Sequence, residues 1–170
     1  MAGTDDFDAF YLGSARRLLR YAFGLTGDAT DAQDLVQEAY ARAWQRWRRV
    51  SRYDDAEGWL RLVVTRLATD RWRRLSVRRA AASTLHPPRP VEPPSDDVVV
   101  LVAALRTLPL PQRRALALHY LLDRSIDEIA RETGARPGTV KSWLSRGRVG
   151  LAAALGGTLT DATTGGPDDC

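Results

Sequence analysis

The chain has 170 residues, 44% of them apolar and 27% charged, with a net charge of +4; that supports one ordinary domain or two small ones and leans weakly toward a polyanionic partner. A single cysteine, Cys170, rules out an internal disulfide, and two distant histidines, His86 and His119, leave a zinc ion without a donor set. No apolar run approaches bilayer-spanning length and the start is acidic (Asp5, Asp6, Asp8), unlike a secretory signal, so a cytoplasmic protein with no membrane insertion is expected.

Basic charge is carried by 24 arginines and one lysine, Lys141. GC-rich codon usage accounts for the total; the clusters point to phosphate and guanine recognition, which the planar guanidinium fork suits. Residues 1–26 read as a first helix, with Phe7, Phe10, Tyr11, Leu18, Leu19 and Ala22 in an apolar stripe. Gly24 and Gly27 bracket its end, and either Asp28 with Asp31 or Thr30 with Gln33 can cap the next helix. That second helix, about Asp31 to Arg49, has Leu35, Val36, Ala39, Tyr40, Ala43, Trp44 and Trp47 at helical spacing. Its acidic first turns and basic last turns suit the helix dipole. Helix stability alone leaves the polar set Asp34, Gln37, Glu38 and Arg42 unexplained, and a protein-docking face would account for it.

A third helix, about Ala56 to Arg74, has an apolar side formed by Trp59, Leu60, Val63, Val64, Leu67 and Ala68. Beyond Asp70 comes RWRRLSVRR, five arginines and a tryptophan with no acid before Ala80. Arginines hold phosphates, and an aromatic ring stacked on an unpaired base is worth about 1–3 kcal/mol. Trp59 reads as a core residue; Trp72 fits the core and a nucleic-acid face equally. Residues 81–95, with five prolines, read as an extended linker.

A second module begins near Asp96. Leu108-Pro109-Leu110-Pro111 interrupts it, and Gln112 to Leu122 resumes as a helix in which His119 reads as a partly buried helix residue, not a catalytic base. Ser125 and Glu128 then form a capping box ahead of Ile126, Ile129 and Ala130. Gly134 ends that helix and Pro137 starts another, with Val140, Leu144 and Leu151 along one stripe. From Arg136 to Arg148 there are four cations and no acid. This is a helix-turn-helix whose second helix is cationic and hydroxyl-bearing, as a helix entering a DNA major groove should be. The stretch from Gly156 to Cys170 is polar and glycine-rich and reads as a disordered tail.

The strings DAQDLVQEAYARAW, EGWLRLVVTRLATDRWRR, LRTLPLPQRRALALHY and IDEIARETGARPGTVKSWLSRGR, in this order, resemble those of bacterial RNA polymerase sigma factors of the extracytoplasmic-function (ECF) class within the sigma-70 family. The resemblance covers roughly residues 7–155. It implies an all-α protein of two small helical domains joined by the Pro-rich linker. Residues 1–80 would be a region 2-like domain and 81–95 the linker; residues 96–155 would be a region 4-like helix-turn-helix domain and 156–170 the tail.

The implied partners are promoter DNA and core RNA polymerase, through its β′ clamp and β flap; an anti-sigma factor is a further partner the family allows. Asp34, Leu35, Gln37, Glu38 and Tyr40 would dock on the polymerase. Arg66, Arg71, Trp72, Arg73 and Arg74 would recognise and open the −10 element. Arg136, Thr139, Lys141, Ser142, Trp143, Arg146 and Arg148 would meet the −35 element. Three residues depart from the family pattern: Arg66 where asparagine is frequent, Trp143 where arginine is usual, and Arg136 where a serine cap is favoured. The last exchange costs about 1 kcal/mol of capping.

Three other readings remain, of which a helical adaptor that binds no DNA is the residual case. A free-standing helix-turn-helix regulator binding operators as a dimer would account for the second module, but needs neither the arginine-rich third helix nor the acidic-then-basic second one. An enzyme would need a convergent Ser/His/Asp set, metal-ligand spacing or a Gly-rich phosphate loop, and the sequence offers none of these; no cofactor or metal is expected.

Overall fold

The computed structural model describes residues 2–81 and 96–163, and every element among them is a helix. Helix α1 runs Ala2–Thr26, α2 Ala29–Gln45, the short α3 Trp47–Val50 and α4 Ala56–Ala81. After residues 82–95, where the linker was expected and which lie outside the described residues, come α5 (Asp96–Thr107), α6 (Leu110–Leu116), a π-helical turn (Ala117–Leu121), α7 (Ile126–Thr133) and α8 (Pro137–Thr163).

Helices α1, α2 and α4 pack around Leu18, Tyr21, Ala22, Leu35, Ala39, Leu60 and Val64, all buried. Two hydroxyl pairs lock them: Ser14 Oγ with Tyr40 Oη at 2.7 Å, and Tyr21 Oη with Thr65 Oγ1 at 2.8 Å. Such pairs satisfy polar groups that burial would otherwise leave at a cost. Asp28 caps α2, its carboxylate accepting from the Asp31 N–H at 2.8 Å.

Helix α2 ends sooner than the periodicity predicts. Arg46 leaves helical geometry (φ −121°, ψ 20°), and the chain restarts as α3. The break turns the Trp47 ring back onto Phe7 and Phe10, with centroids 5.1 and 5.0 Å apart. Helix α4, in contrast, continues well beyond Arg74, since nothing up to Ala81 breaks it.

In the second half α8 is the spine against which α5, α6 and α7 pack. A Cβ on Gly147 would lie 3.0 Å from Leu116 Cδ1, so the missing side chain lets α6 and α8 approach closely. The helix predicted over Gln112 to Leu122 widens into a π turn; it closes where Asp123 takes a positive φ of 52° and His119 Nδ1 meets the Arg124 carbonyl oxygen at 2.9 Å. Such single turns have no sequence signature. Helix α8 persists through Thr163, past the start of the expected tail, while residues 164–170 lie outside the described residues. The glycines there each cost only about 1 kcal/mol in a helix, and the stronger breaker, Pro167, comes later.

The two halves are not separate bodies in this arrangement. One connected core runs from Leu18 through Leu60 to Leu116, Ile129 and Leu144.

Candidate nucleic-acid interface

Three outward faces carry the residues singled out in the sequence. The first belongs to α2, where Asp34, Gln37 and Glu38 are exposed. Glu38 accepts from Arg42 Nε at 2.8 Å one turn on. Leu35 and Tyr40, expected beside them, turn inward and are 5% and 4% exposed. Tyr40 meets Phe7, Phe10 and Tyr11 edge-on and lies too deep to present its ring to a partner. Both residues hold the helix in place and do not line its outer strip. Trp44 extends that strip: it is 49% exposed and braced edge-on by Phe7 at 5.0 Å. The sequence places it in the apolar stripe, yet its spacing from Gln37 (seven residues) also puts it on the outer edge.

The second face is the distal half of α4. Arg66, Trp72, Arg73 and Arg74 are exposed, Trp72 by 63%. At about 100° per residue, Arg66, Arg73 and Arg74 span about 100° of the helix surface, while Trp72 lies about 100° further round, beyond Arg73. The five residues named for this element therefore do not form one surface. Arg71 turns toward α2, where its guanidinium pairs with Asp31 and lies 3.7 Å from Asp34. Burial, the main influence, pushes the Asp31 carboxyl up; Arg71 opposes it.

The third face is the first half of α8. Helix α7 enters it through a complete capping box. The Ser125 N–H donates to Glu128 Oε2 at 2.8 Å, and the Glu128 N–H donates to Ser125 Oγ at 3.3 Å. The backbone N–H of Ser125 first, then the side chains of Arg124 and Ser125, hold the Glu128 carboxyl down at about 2. Gly134 ends α7 with φ 71°, a left-handed corner that an L side chain rarely takes, and fixes the angle between the two helices.

Val140 and Leu144 then bury one side of α8. Arg136, Thr139, Lys141, Ser142, Arg146 and Arg148 are all exposed. Trp143 is half-buried against the core, so only part of its ring is available. Arg148 bends back to donate to Tyr120 Oη at 3.2 Å and sits at the flank. Helical geometry puts Ser142 opposite the buried stripe, with Ser145 and Arg146 on either side. Ser145, exposed, was missed in the sequence; period alone, counted from Ser142, reveals it. Such a face can donate to phosphates and base edges and repels nothing anionic. Among the described residues, no cluster of His, Cys, Asp and Glu could hold a metal ion, and no helix is long and apolar enough to cross a membrane.

Comparison with known proteins agrees with this layout. A family model described as Sigma-70 region 2 matches residues 10–78, and one described as Sigma-70, region 4 matches residues 99–151. The chain is 31% identical over 153 residues to an RNA polymerase sigma-E factor of Streptomyces coelicolor, covering 88% of this chain and 86% of that one. It is 34% identical over 143 residues to the ECF RNA polymerase sigma factor SigL of Mycobacterium tuberculosis, covering 80% and 81%.

Among solved structures, the sigma factor RpoE of Bartonella quintana, in complex with the anti-sigma factor NepR, superposes with a TM-score of 0.72 at 25% identity, covering 88% of this chain and 96% of that one. CnrH, in complex with the cytosolic domain of CnrY, shares the fold with a TM-score of 0.62 at 21% identity, over 94% and 90%. With two family regions in order and relatives above 30% identity matched over four fifths or more of their length, the chain belongs to the extracytoplasmic-function class of the sigma-70 family, whose members direct RNA polymerase to promoters.

Proposed function

We propose that the chain docks on the β′ clamp of core polymerase through the outer strip of α2, with Asp34, Gln37 and Glu38 at its centre and Trp44 at its edge. The exposed half of α4 then catches the −10 element: Arg66, Arg73 and Arg74 hold phosphates and Trp72 stacks on an unpaired base. Extruding a base costs a few kcal/mol, and a stacked ring returns about 1–3 kcal/mol. The first turns of α8 enter the major groove of the −35 element, where Thr139, Lys141, Ser142, Ser145 and Arg146 face phosphates and base edges.

In this reading residues 1–80 and 96–155 act as the two functional domains, 81–95 connects them, and the β flap holds the second. The chain works in the cytoplasm as a polymerase subunit and not as a catalyst. The similar Bartonella chain is bound to an anti-sigma factor, and a comparable inhibitor is the corresponding partner here.

The observation that carries the reading is the outward surface of α8 from Arg136 to Arg148, which bears cations and hydroxyls and no carboxylate. Mixing purified chain with core polymerase tests it: co-elution, promoter-dependent transcripts and protection of both elements are expected. Tight binding of a symmetric dimer to duplex DNA, with no affinity for polymerase, would overturn it in favour of a free-standing regulator.

A further inference from the structure

The π turn Ala117–Leu121 lies before the helix-turn-helix, yet it delivers a side chain to the flank of α8. Such widened turns collect at functional sites. Leu118 is fully buried inside it, while Tyr120, two residues on, is 54% exposed. The turn closes through the Arg124 N–H, which donates to the Leu118 carbonyl at 3.0 Å. His119 is tied to the same corner. A carbonyl oxygen only accepts, so His119 Nδ1 carries the proton that meets the Arg124 oxygen at 2.9 Å. The imidazole so fixed stands edge-on to the Tyr120 ring, with centroids 4.8 Å apart and planes at 78°. Backbone and ring together set where the Tyr120 hydroxyl points, and that hydroxyl accepts from Arg148 Nη1 at 3.2 Å.

The partner of Arg148 differs in kind from those of other arginines. Arg17, Arg42, Arg61, Arg71 and Arg124 each end on a carboxylate, which cancels their charge in the folded chain. Arg148 ends on a neutral phenol. Its guanidinium is held in place with its charge intact and most of its N–H donors open. Position along α8 decides what those donors meet. Arg148 comes seven residues after Lys141, within about 20° of the same direction and about 10 Å further along. Thr139 and Arg146 repeat that spacing on the opposite flank, with Ser142 and Ser145 between. A helix lying in a groove about 12 Å wide has a sugar-phosphate backbone along each flank. Lys141 and Arg148 therefore follow the phosphates of one strand.

We propose that Tyr120 is a positioning residue for −35 binding: its hydroxyl holds the Arg148 guanidinium so that the open N–H groups meet a backbone phosphate beside the element. The inference rests on the sigma-factor reading of α8. An unrestrained surface arginine loses its rotamer freedom when it grips a phosphate; one already tied to a braced phenol has lost much of it in folding. The contact carries no base information. It fixes the register and angle at which α8 sits in the groove.

The full chain bound to core polymerase tests this on a promoter fragment over a salt series. Arg148→Ala should weaken binding to the promoter and to −35 base variants of it alike, and lower the slope of log affinity against log salt by about one unit. Tyr120→Phe removes the hydroxyl and keeps the ring. It should weaken binding severalfold, again without regard to base sequence, while the unfolding midpoint and the affinity for core polymerase stay in place. In an Arg148→Ala background Tyr120→Phe should cost nothing further, because the hydroxyl acts through the arginine. Full affinity in Tyr120→Phe, or an equal loss with Arg148 already removed, would overturn the positioning role. So would a matching loss of affinity for core polymerase, which would put Tyr120 on the polymerase side. A wild-type chain that binds core polymerase and protects no −35 DNA would overturn the sigma-factor reading of α8, and the role of Tyr120 with it.

Discussion

Arg71 of α4 lies 3.7 Å from Asp34 of α2, joining a helix assigned to promoter opening to one assigned to polymerase docking. Its stronger partner is Asp31, one turn earlier. The side chains are 41% and 56% exposed for Arg71 and Asp34, so solvent screens the pair. A double-mutant cycle of Arg71→Ala with Asp34→Ala should therefore show a coupling of about 0.2–1 kcal/mol, measured by denaturant unfolding. Arg73→Ala should instead weaken promoter binding and leave the unfolding midpoint in place. If Arg71→Ala lowers promoter affinity as much as Arg73→Ala does, without loss of stability, Arg71 is a DNA contact and not a brace.

Glu38→Ala and Gln37→Ala remove exposed side chains from α2 and should reduce affinity for core polymerase several-fold. Changes in unfolding free energy should stay within about 0.5 kcal/mol for such surface positions. Leu35→Ala and Tyr40→Ala are buried controls, and should cost about 2–5 kcal/mol of stability. Binding titrations alongside melts separate the two classes; equal binding losses with equal melts would show that the inner pair also touches the polymerase.

Lys141→Ala should weaken binding to all duplex sequences alike and lower the slope of log affinity against log salt by about one unit. A change confined to particular bases, at constant slope, would make Lys141 a base reader. Ser145→Ala should alter affinity by less than tenfold and leave the slope untouched.

The Glu128 carboxyl titrates at about 2 in the folded chain against an ordinary 4.5. A depressed folded-state value means stability that is complete above about pH 4.5 and lost as the pH falls through about 2. Glu128→Gln should remove this share of acid sensitivity and destabilise the chain at neutral pH. Acid unfolding followed by circular dichroism checks it. An unchanged acid profile in that window would show that the carboxylate is not what the capping box depends on.

Much of this was legible in the chain itself. The capping box at Ser125, the Gly134 corner and the apolar periods of α2 and α8 are local rules, and the structure obeys them. What the sequence hides is side-chain destination. No local pattern marks Arg61 and Arg113 for burial, yet both are buried against partners far along the chain, Glu132 and Leu25. Arg71 reads as one of five like arginines until α2 is placed beside it. Leu35 and Tyr40 lie in a motif that family resemblance assigns to docking, while the same periodicity that builds the helix sends them inward. The π turn at Ala117 and the break at Arg46 leave no residue pattern from which either could be read.

Helix α4 is unbroken from Ala56 to Ala81 and carries Arg61 near one end and Trp72 beyond its middle, about 16 Å further along at ~1.5 Å per residue. Because one helix carries both, the exposed ring and the buried guanidinium keep a fixed register, and whatever anchors the Arg61 end also sets the direction in which Trp72 projects.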